Sequence, residues 1–304
     1  MEIQTVGVVG AGLMGSGIIE QTARCGYRVI AREIDEQALQ GGQKRVEKSM
    51  GRAVERSKMT EQERDEANGR ITWTTNLGEL RECDLVVEAI IENLNQKQDL
   101  FRELDEITRP DVILASNTSS VSITAIASVT ARPERVAGAH FFNPVPVMRL
   151  LELVRGLLTS DETLGTLRQF GSSLGKEVIV AQDTPGFIVN ALLVPYLLDA
   201  VRMVENGIAT KEDIDTGINL GLNHPMGPLT LLDYVGIDTT LYIADVMYEE
   251  YRDPKYAAPP LLRKMVRAGY LGRKNGRGFY DHDVDAWKAW ADRQREVPVG
   301  AARS

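Results

Sequence analysis

Short apolar runs alternate with helical patterns along the first part of the chain. Runs rich in β-branched residues predict eight strands, at residues 6–9, 28–31, 71–74, 85–88, 112–116, 136–140, 150–154 and 177–181. Apolar positions at helical spacing predict helices between them, including residues 13–24, 37–57, 94–108 and 162–174. Strands that alternate with helices form a mostly parallel sheet with helices on both faces. The pattern therefore predicts an α/β fold of the doubly wound type.

The pattern changes at Asp183-Thr184-Pro185-Gly186, after which helical periodicity continues and no run is typical of a strand. We expect a first domain at residues 1–184, an all-helical second domain at residues 185–291 and a partly disordered tail at residues 292–304. The apolar helix predicted at residues 187–203 is hydrophobic on more than one face, which indicates burial between domains or subunits. Residues 37–68 form an insertion of two helices, where Thr60 and Glu63 fit a capping box.

Composition excludes several classes of protein. The 304 residues are 43% hydrophobic and 26% charged, and the formal charge of -8 argues against a general binder of nucleic acid or of an anionic membrane. Cys25 and Cys83 form no disulfide framework, which favours a reducing compartment. The N-terminus runs directly into the first predicted strand, so we expect no signal peptide and a cytoplasmic protein. Polar residues and a proline interrupt the apolar stretch at residues 187–204, which predicts a buried helix and not a membrane span.

A G-x-G-x-x-G turn joins the first predicted strand to the first helix. Gly10 allows a tight turn, Gly12 lets the backbone approach a pyrophosphate, and Gly15 lets the helix pack close to its strand. Leu13 and Met14 complete the turn where the helix opens, and a helix N-terminus favours phosphate groups. We expect all five residues to bind the cofactor.

An acid follows the second predicted strand, about 20 residues on from the turn, as the dinucleotide-binding fingerprint requires. Glu33 is the better candidate for binding the ribose hydroxyls, because Asp35 lies where it would cap the next helix. Strand, turn, helix and acid together predict a Rossmann-type domain that binds NAD. Arg32 could accept the 2′-phosphate of NADP, so NADP remains possible.

The chain contains three histidines, His140, His224 and His282, and no metal-ligand spacing among them and the cysteines, so we expect no metal site. His140 ends a predicted strand, and the carboxyl ends of such strands border the ligand crevice. Glu152 lies between leucines in the next apolar run, where a carboxylate needs a partner. As a pair, Glu152 would orient the ring and His140 would take a hydroxyl proton. The alternative is a satisfied core histidine and an edge-strand charge.

Two further residues have open alternatives on the sequence alone. Ser119 follows another predicted strand and could bind a substrate hydroxyl, or it could cap the next helix. Asn190 lies one helical turn into the second domain and could bind a substrate carbonyl, or it could bond the turn backbone.

Six motifs occur in order over residues 3–281. They are Gly10 to Gly15, Asn117-Thr118-Ser119-Ser120, His140-Phe141-Phe142-Asn143-Pro144, Asp183-Thr184-Pro185-Gly186-Phe187, His224-Pro225-Met226-Gly227-Pro228 and Gly278-Phe279-Tyr280. Together they resemble the L-3-hydroxyacyl-CoA dehydrogenase family, and within it the 3-hydroxybutyryl-CoA dehydrogenases. The resemblance implies a Rossmann-type domain, a helical domain that mediates homodimerisation, and a cleft between them.

The resemblance also implies roles for single residues. His140 matches the catalytic base, Glu152 its carboxylate partner, and Ser119 and Asn190 substrate-contacting positions. The positions that contact the cofactor are matched by Glu33, Glu92, Lys97, Ser119, Asn143 and Lys274. Ser49, Arg56 and Ser119 fall where the family binds the coenzyme A substrate, and Arg56 stands where lysine is common.

The function implied is oxidation of the 3-hydroxyl of an acyl-CoA to a ketone, with NAD accepting the hydride. One alternative is a related dehydrogenase of a free 3-hydroxy acid or sugar acid. A branch of such enzymes uses a lysine on the first long helix of the second domain, and residues 187–204 contain none. The other alternative is a crystallin-like protein that binds NAD without catalysis, and the presence of Ser119, His140, Glu152 and Asn190 counts against it.

Basic residues recur every four positions on the helix predicted at residues 37–57, namely Lys44, Lys48, Arg52 and Arg56. Such a stripe is commonly a solvated helix surface, here partly neutralised by acids. The resemblance at Ser49 and Arg56 favours a site for the coenzyme A phosphates. Val46, Met50, Ala53 and Val54 are expected to form the packed face.

Overall fold

The computed structural model describes residues 2–288, so the tail expected at residues 292–304 lies outside the described residues. The chain divides into two compact units, the first ending at Phe187 and the second beginning at Ile188. None of the described helices combines the length and the apolar composition that crossing a membrane requires.

Eight strands form one sheet in the first unit. They are β1 (Thr5–Val9), β2 (Arg28–Arg32), β3 (Ile71–Thr74), β4 (Leu85–Glu88), β5 (Ile113–Ser116), β6 (Val136–Phe141), β7 (Leu150–Arg155) and β8 (Glu177–Gln182). Their order is β3-β2-β1-β4-β5-β6-β7-β8, and every neighbouring pair is parallel except β6 with β7. The first six strands follow the order of a doubly wound nucleotide-binding sheet. The predicted fold class is confirmed.

Helices cover both faces of this sheet. They are α1 (Leu13–Arg24), α2 (Glu36–Glu55), α3 (Glu61–Gly69), α4 (Leu94–Ile107), α5 (Ile123–Ala127) and α6 (Asp161–Ser173). One core contains Ile18 of α1 and Val46 of α2, and the other contains Phe101 of α4 and Ile126 of α5. Burial of strand residues on both sides explains the near-continuous apolar runs in the sequence.

The insertion between β2 and β3 is the expected pair of helices, and both N-termini are capped. Asp35 accepts a hydrogen bond from the Ala38 N–H, which confirms its role as N-cap of α2. The capping box predicted at Thr60 and Glu63 is confirmed at the start of α3.

The second unit is helical over its described residues, apart from two isolated β-bridges near residues 272–281. Its helices are α7 (Val189–Glu205), α8 (Lys211–Gly221), α9 (Pro228–Val235), α10 (Ile237–Tyr251) and α11 (Pro260–Arg267), packed around a separate apolar core. The buried carboxylate of Asp233 accepts hydrogen bonds from the N–H groups of Phe279 and Tyr280 and contacts His282 Nε2 at 2.8 Å. His282 therefore helps to anchor the segment after α11.

Candidate active site

The glycine turn after β1 has the geometry that each glycine was expected to serve. Gly10 has φ of 92°, a conformation that side chains disfavour. A Cβ on Gly15 would lie 1.8 Å from the carbonyl oxygen of Gly10, so only glycine lets α1 approach the strand this closely. A Cβ on Gly12 would meet no atom within 4 Å, so its backbone faces open space. This turn fits a pyrophosphate at the N-terminus of α1.

Leu13 and Met14 begin α1 directly after this turn. Leu13 is largely exposed, whereas Met14 is half-buried against the core beneath the sheet. Their backbone N–H groups lie in the first turn of α1, where helix N–H groups have no partner within the helix.

Glu33 lies beside the turn, at the end of β2. Its Oε1 accepts a hydrogen bond of 2.5 Å from the Ala11 N–H, and its Oε2 accepts one from the Ile34 N–H. A pocket of about 360 Å³ opens here, and it is lined by Gly12, Glu33, Asp35, Gln37, Ala38, Gly41 and Arg45. The carboxylate of Glu33 and the open backbone of Gly12 thus line one pocket. Such a pocket fits the adenosine ribose of a dinucleotide.

Arg32 and Arg45 are placed differently relative to this pocket. Among the described residues that line it, Arg45 is present and Arg32 is absent. The Nε of Arg32 is buried and has no hydrogen-bond partner within residues 2–288. Arg45 extends from α2, and its Nη1 donates to the carbonyl oxygen of Ala11 over 3.1 Å. Arg32 stands next to Glu33 in the sequence, whereas Arg45, which lines the pocket, belongs to no motif of the sequence.

A buried ion pair joins Glu88, the last residue of β4, to Lys97 of α4. Lys97 Nζ lies 2.7 Å from Glu88 Oε1 and 3.2 Å from Glu92 Oε2, and the side chains of Lys97 and Glu88 are 1% and 0% exposed. Glu88 also accepts hydrogen bonds from the Ile90 N–H and the Ser116 hydroxyl. Sequence analysis missed Glu88, although an acid closing a wholly buried strand is itself a signal that partners must exist.

Glu92 connects this pair to the loop after β5. Its Oε1 accepts hydrogen bonds from the Ser119 N–H, the Ser119 hydroxyl and the Thr118 hydroxyl at 2.7 to 3.0 Å. The structure thus brings together Glu92, Lys97 and Ser119, three of the positions named from the sequence.

The same loop is tied to the end of β6. Asn117 Oδ1 accepts a hydrogen bond of 2.9 Å from the Phe141 N–H. Beyond Phe141, Asn143 is exposed at the start of the loop that leads to β7. The loops after β5 and β6 therefore lie side by side at the carboxyl ends of their strands, where α/β sheets bind ligands.

His140 and Glu152 meet across the antiparallel pair β6–β7. They are register partners, and His140 Nδ1 lies 2.7 Å from Glu152 Oε2. His140 is 7% exposed and Glu152 is 0% exposed. The ring lies 4.6 Å from the ring of Phe142 and 5.5 Å from that of Phe187, centroid to centroid. When Nδ1–H donates to the carboxylate, Nε2 carries the lone pair that can accept a proton.

The coenzyme A positions named from the sequence lie on and beside α2. The packed face is as predicted, because Val46 and Met50 are buried and Ala53 and Val54 pack against the same core. Ser49 is half-buried, and Arg56 is an exposed residue that caps the C-terminus of α2. The basic residues of the predicted stripe, Lys44, Lys48, Arg52 and Arg56, are all exposed.

Two named residues belong to the second unit. Asn190 is half-buried in the first turn of α7. Lys274 forms an ion pair of 2.5 Å with Asp238, at the start of α10. Within residues 2–288, no group of three or more His, Cys, Asp or Glu side chains is arranged to hold a metal ion.

Comparison with known proteins assigns the family. Residues 5–184 match the NAD binding domain of 3-hydroxyacyl-CoA dehydrogenase, and residues 186–282 match the C-terminal domain of the same family. A 3-hydroxybutyryl-CoA dehydrogenase of Mycobacterium tuberculosis is 54% identical over 282 residues, covering 92% of this chain and 99% of the relative. A relative of the same name from Clostridioides difficile is 45% identical, covering 91% of this chain and 98% of the relative.

Solved structures agree with this result. The crystal structure of FadB2 from M. tuberculosis has a TM-score of 0.92 and 52% identity, covering 93% of this chain and all of that one. That of (S)-3-hydroxybutyryl-CoA dehydrogenase PaaH1 from Ralstonia eutropha has a TM-score of 0.88 and 46% identity, with coverage of 93% and 100%. The chain therefore belongs to the 3-hydroxyacyl-CoA dehydrogenase family.

Proposed function

We propose that this protein oxidises the 3-hydroxyl of an L-3-hydroxyacyl-CoA to a ketone, and reduces the ketone in the reverse direction, with 3-hydroxybutyryl-CoA as substrate. The observation that carries the proposal is the buried His140–Glu152 contact at the end of β6. A histidine held by a carboxylate at this edge of the sheet is the arrangement that alcohol oxidation needs.

His140 acts as the general base in the oxidation. Its Nε2 takes the proton of the substrate hydroxyl, while Glu152 keeps Nδ1 protonated and stabilises the imidazolium that forms. The rings of Phe142 and Phe187 restrict the orientation of the imidazole. The nicotinamide of NAD supplies the hydride acceptor when it is bound.

Ser119 positions the reacting oxygen. Its hydroxyl donates to Glu92, so the Ser119 oxygen keeps lone pairs that can accept a hydrogen bond from the substrate hydroxyl. Glu92 is itself held by Lys97. Asn190 is proposed as a further substrate contact on the basis of the family pattern.

NAD is the proposed cofactor. Gly10, Gly12 and Gly15 leave room for its pyrophosphate, and Glu33 binds the adenosine ribose hydroxyls. The charge of Glu33 repels a 2′-phosphate, so NAD is preferred over NADP. Leu13, Met14, Lys97, Asn143 and Lys274 are proposed as further cofactor contacts on the basis of the family pattern.

The acidic chain is proposed to bind coenzyme A through the exposed basic side of α2, with Ser49 and Arg56 as contacts. Phosphate groups favour arginine because its guanidinium offers paired donors.

The second unit is proposed to mediate homodimerisation. It exposes several large apolar side chains, namely Leu192, Ile208, Leu220 and Leu222. The proposal follows the family pattern, and it requires these side chains to form a contiguous apolar patch of the kind that marks protein interfaces.

The experiment that tests the function compares acetoacetyl-CoA with free acetoacetate as oxidants of NADH. The loss of NADH absorbance measures the rate of each reaction. Rapid turnover of the thioester alone is the expected result. Equal turnover of the free acid would assign the protein to the dehydrogenases of free 3-hydroxy acids. Binding of NADH without turnover of either substrate would leave a non-catalytic NAD-binding protein.

A further inference from the structure

Arg45 lines the same pocket as Glu33, although the two residues are 12 positions apart in the sequence. The pocket is bounded by the glycine turn on one side and the first half of α2 on the other. From α2, Arg45 reaches the turn and donates one hydrogen bond to the carbonyl oxygen of Ala11. Since a guanidinium has five N–H donors, this contact leaves donors for a ligand.

Arg45 lies on the same side of α2 as Arg52 and Arg56, but at the opposite end of the helix from Arg56. Positions 45, 49, 52 and 56 follow spacings of four, three and four, so they lie on one side of α2. At a rise of about 1.5 Å per residue, Arg45 and Arg56 are roughly 16 Å apart along the axis. Arg45 is therefore at the end of this side that meets the glycine turn, and Arg56 is at the far end.

The charge of Arg45 is available to a ligand. Within the described part of the chain, Arg45 forms no ion pair with Glu33 or with any other acid. Arg32 offers less, because its Nε is buried and it does not line the pocket in the described structure.

We propose that Arg45 determines cofactor specificity together with Glu33, by binding a phosphate at the 2′ position of the adenosine ribose. The inference rests on the proposed function, in which Glu33 binds that ribose. A group attached at the 2′ oxygen lies beside Glu33 and within the pocket that Arg45 lines. Glu33 repels a phosphate there and Arg45 attracts it, with paired donors that suit phosphate oxygens. The protein therefore tolerates NADP through Arg45, and Arg32 plays no part.

The test measures binding of two nucleotides by calorimetry, adenosine 5′-monophosphate and adenosine 2′,5′-bisphosphate, which differ only in the 2′-phosphate. Glu33→Gln provides the background, since it removes the repulsion and keeps the shape. Adding Arg45→Ala is expected to weaken binding of the bisphosphate about tenfold or more, while binding of the monophosphate changes less than about twofold. Adding Arg32→Ala is expected to change neither.

Arg102→Ala in the same background is the matched control for net charge, because Arg102 is an exposed arginine of α4 paired with Asp99. It should leave both affinities unchanged. A loss of bisphosphate binding with Arg32→Ala, or an equal loss of both nucleotides with Arg45→Ala, would overturn the proposal. So would a Glu33→Gln protein that does not bind the bisphosphate, or a higher KM for acyl-CoA in Arg45→Ala.

Failure of the proposed function has a different signature. In that case NADH absorbance shows no selective turnover of acetoacetyl-CoA, whereas the calorimetric comparison of the two nucleotides needs no substrate and still tests Arg45. If the unmodified protein binds the monophosphate but Arg45→Ala leaves the bisphosphate affinity of the Glu33→Gln protein unchanged, only the role of Arg45 is contradicted.

Discussion

At the scale of single residues, the proposed chemistry depends on one register position of the sheet. His140 and Glu152 are directly opposite each other on β6 and β7, so the register of the two strands places their side chains in contact. His140→Gln is expected to retain cofactor binding and lose about 10²–10⁴-fold in kcat, because the general base is removed. Steady-state kinetics with acetoacetyl-CoA and titration with NADH measure the two quantities separately.

Glu152→Gln separates catalysis from folding at the same pair. The amide keeps the shape of the side chain and removes the charge that stabilises the imidazolium, so kcat should fall while the urea midpoint changes little. Full activity of either variant at neutral pH would show that the proton goes elsewhere. Collapse of the fold in Glu152→Gln would instead assign the pair to structure.

The Glu88–Lys97 pair makes a prediction about stability. Lys97→Met should lower the free energy of unfolding by about 3–5 kcal/mol, because it leaves the Glu88 carboxylate buried without its cation. Lys97→Met combined with Glu88→Gln should recover part of this loss, since both charges are then gone. Urea denaturation followed by circular dichroism provides the measurement. Equal losses in the single and double variants would contradict the ion pair.

The sequence predicts the His140–Glu152 pair but not the Glu88–Lys97 pair. His140 and Glu152 lie on consecutive strands, and the cost of burying a carboxylate requires a neighbour. The partners of Glu88 come from three segments, the loop after β4, α4 and β5. Only the assembled sheet brings these together, so no local pattern contains the information.

At the scale of elements, all eight predicted strands are confirmed and the ends of helices shift slightly. The helix expected at residues 37–57 spans Glu36–Glu55. It begins one residue earlier because Asp35 already caps it. It ends earlier because Ser57 adopts φ of 55°, which stops the helix after the cap residue Arg56. Apolar periodicity predicts the body of a helix, whereas such terminal conformations have weaker signals.

The exposed side of α2 makes a prediction about coenzyme A. Arg56→Glu should raise KM for acetoacetyl-CoA, because it places a negative charge where a phosphate is proposed to bind. The increase should be larger at low salt, since salt screens exposed charges. Kinetics at two ionic strengths measure both effects.

A truncated thioester without the nucleotide tests the assignment of that charge. It should respond little to Arg56→Glu, and Arg102→Glu on α4 serves as a control that changes net charge equally. Equal effects of Arg56→Glu on acetoacetyl-CoA and on the truncated thioester would assign the stripe to folding or solubility.

At the scale of the whole molecule, the two cysteines report on global unfolding. Cys83 is buried in a core of the first unit and Cys25 is exposed. A thiol reagent should label Cys25 in the native protein and both cysteines after denaturation, as measured by mass spectrometry. Labelling of Cys83 under native conditions would show that this core opens locally.

Burial also raises the pKa of the Cys83 thiol from 9.0 to about 12, because the thiolate is poorly solvated there. The thiol of Cys83 therefore stays protonated to a higher pH in the folded state than in the unfolded state. This contribution to stability is fully present below pH 9 and is lost as the pH rises toward 12, by up to about 1.4 kcal/mol per pH unit. Cys83→Ala should flatten the alkaline decline of the unfolding free energy, and Cys25→Ala should largely retain it.

The apolar surface of the second unit makes the last prediction, which concerns assembly. Leu192 of α7 is 74% exposed and Leu220 of α8 is 82% exposed, and no contact within the described chain explains either. If these residues form the proposed dimer interface, Leu192→Glu and Leu220→Glu should shift the protein from dimer to monomer in sedimentation velocity. Leu157→Glu is the matched control, because Leu157 is 81% exposed and lies in the first unit. A glutamate destabilises the dimer only where the partner buries the leucine that it replaces, because burying an unpaired charge costs free energy. A monomeric unmodified protein, or dissociation by Leu157→Glu alone, would therefore contradict an interface on the second unit.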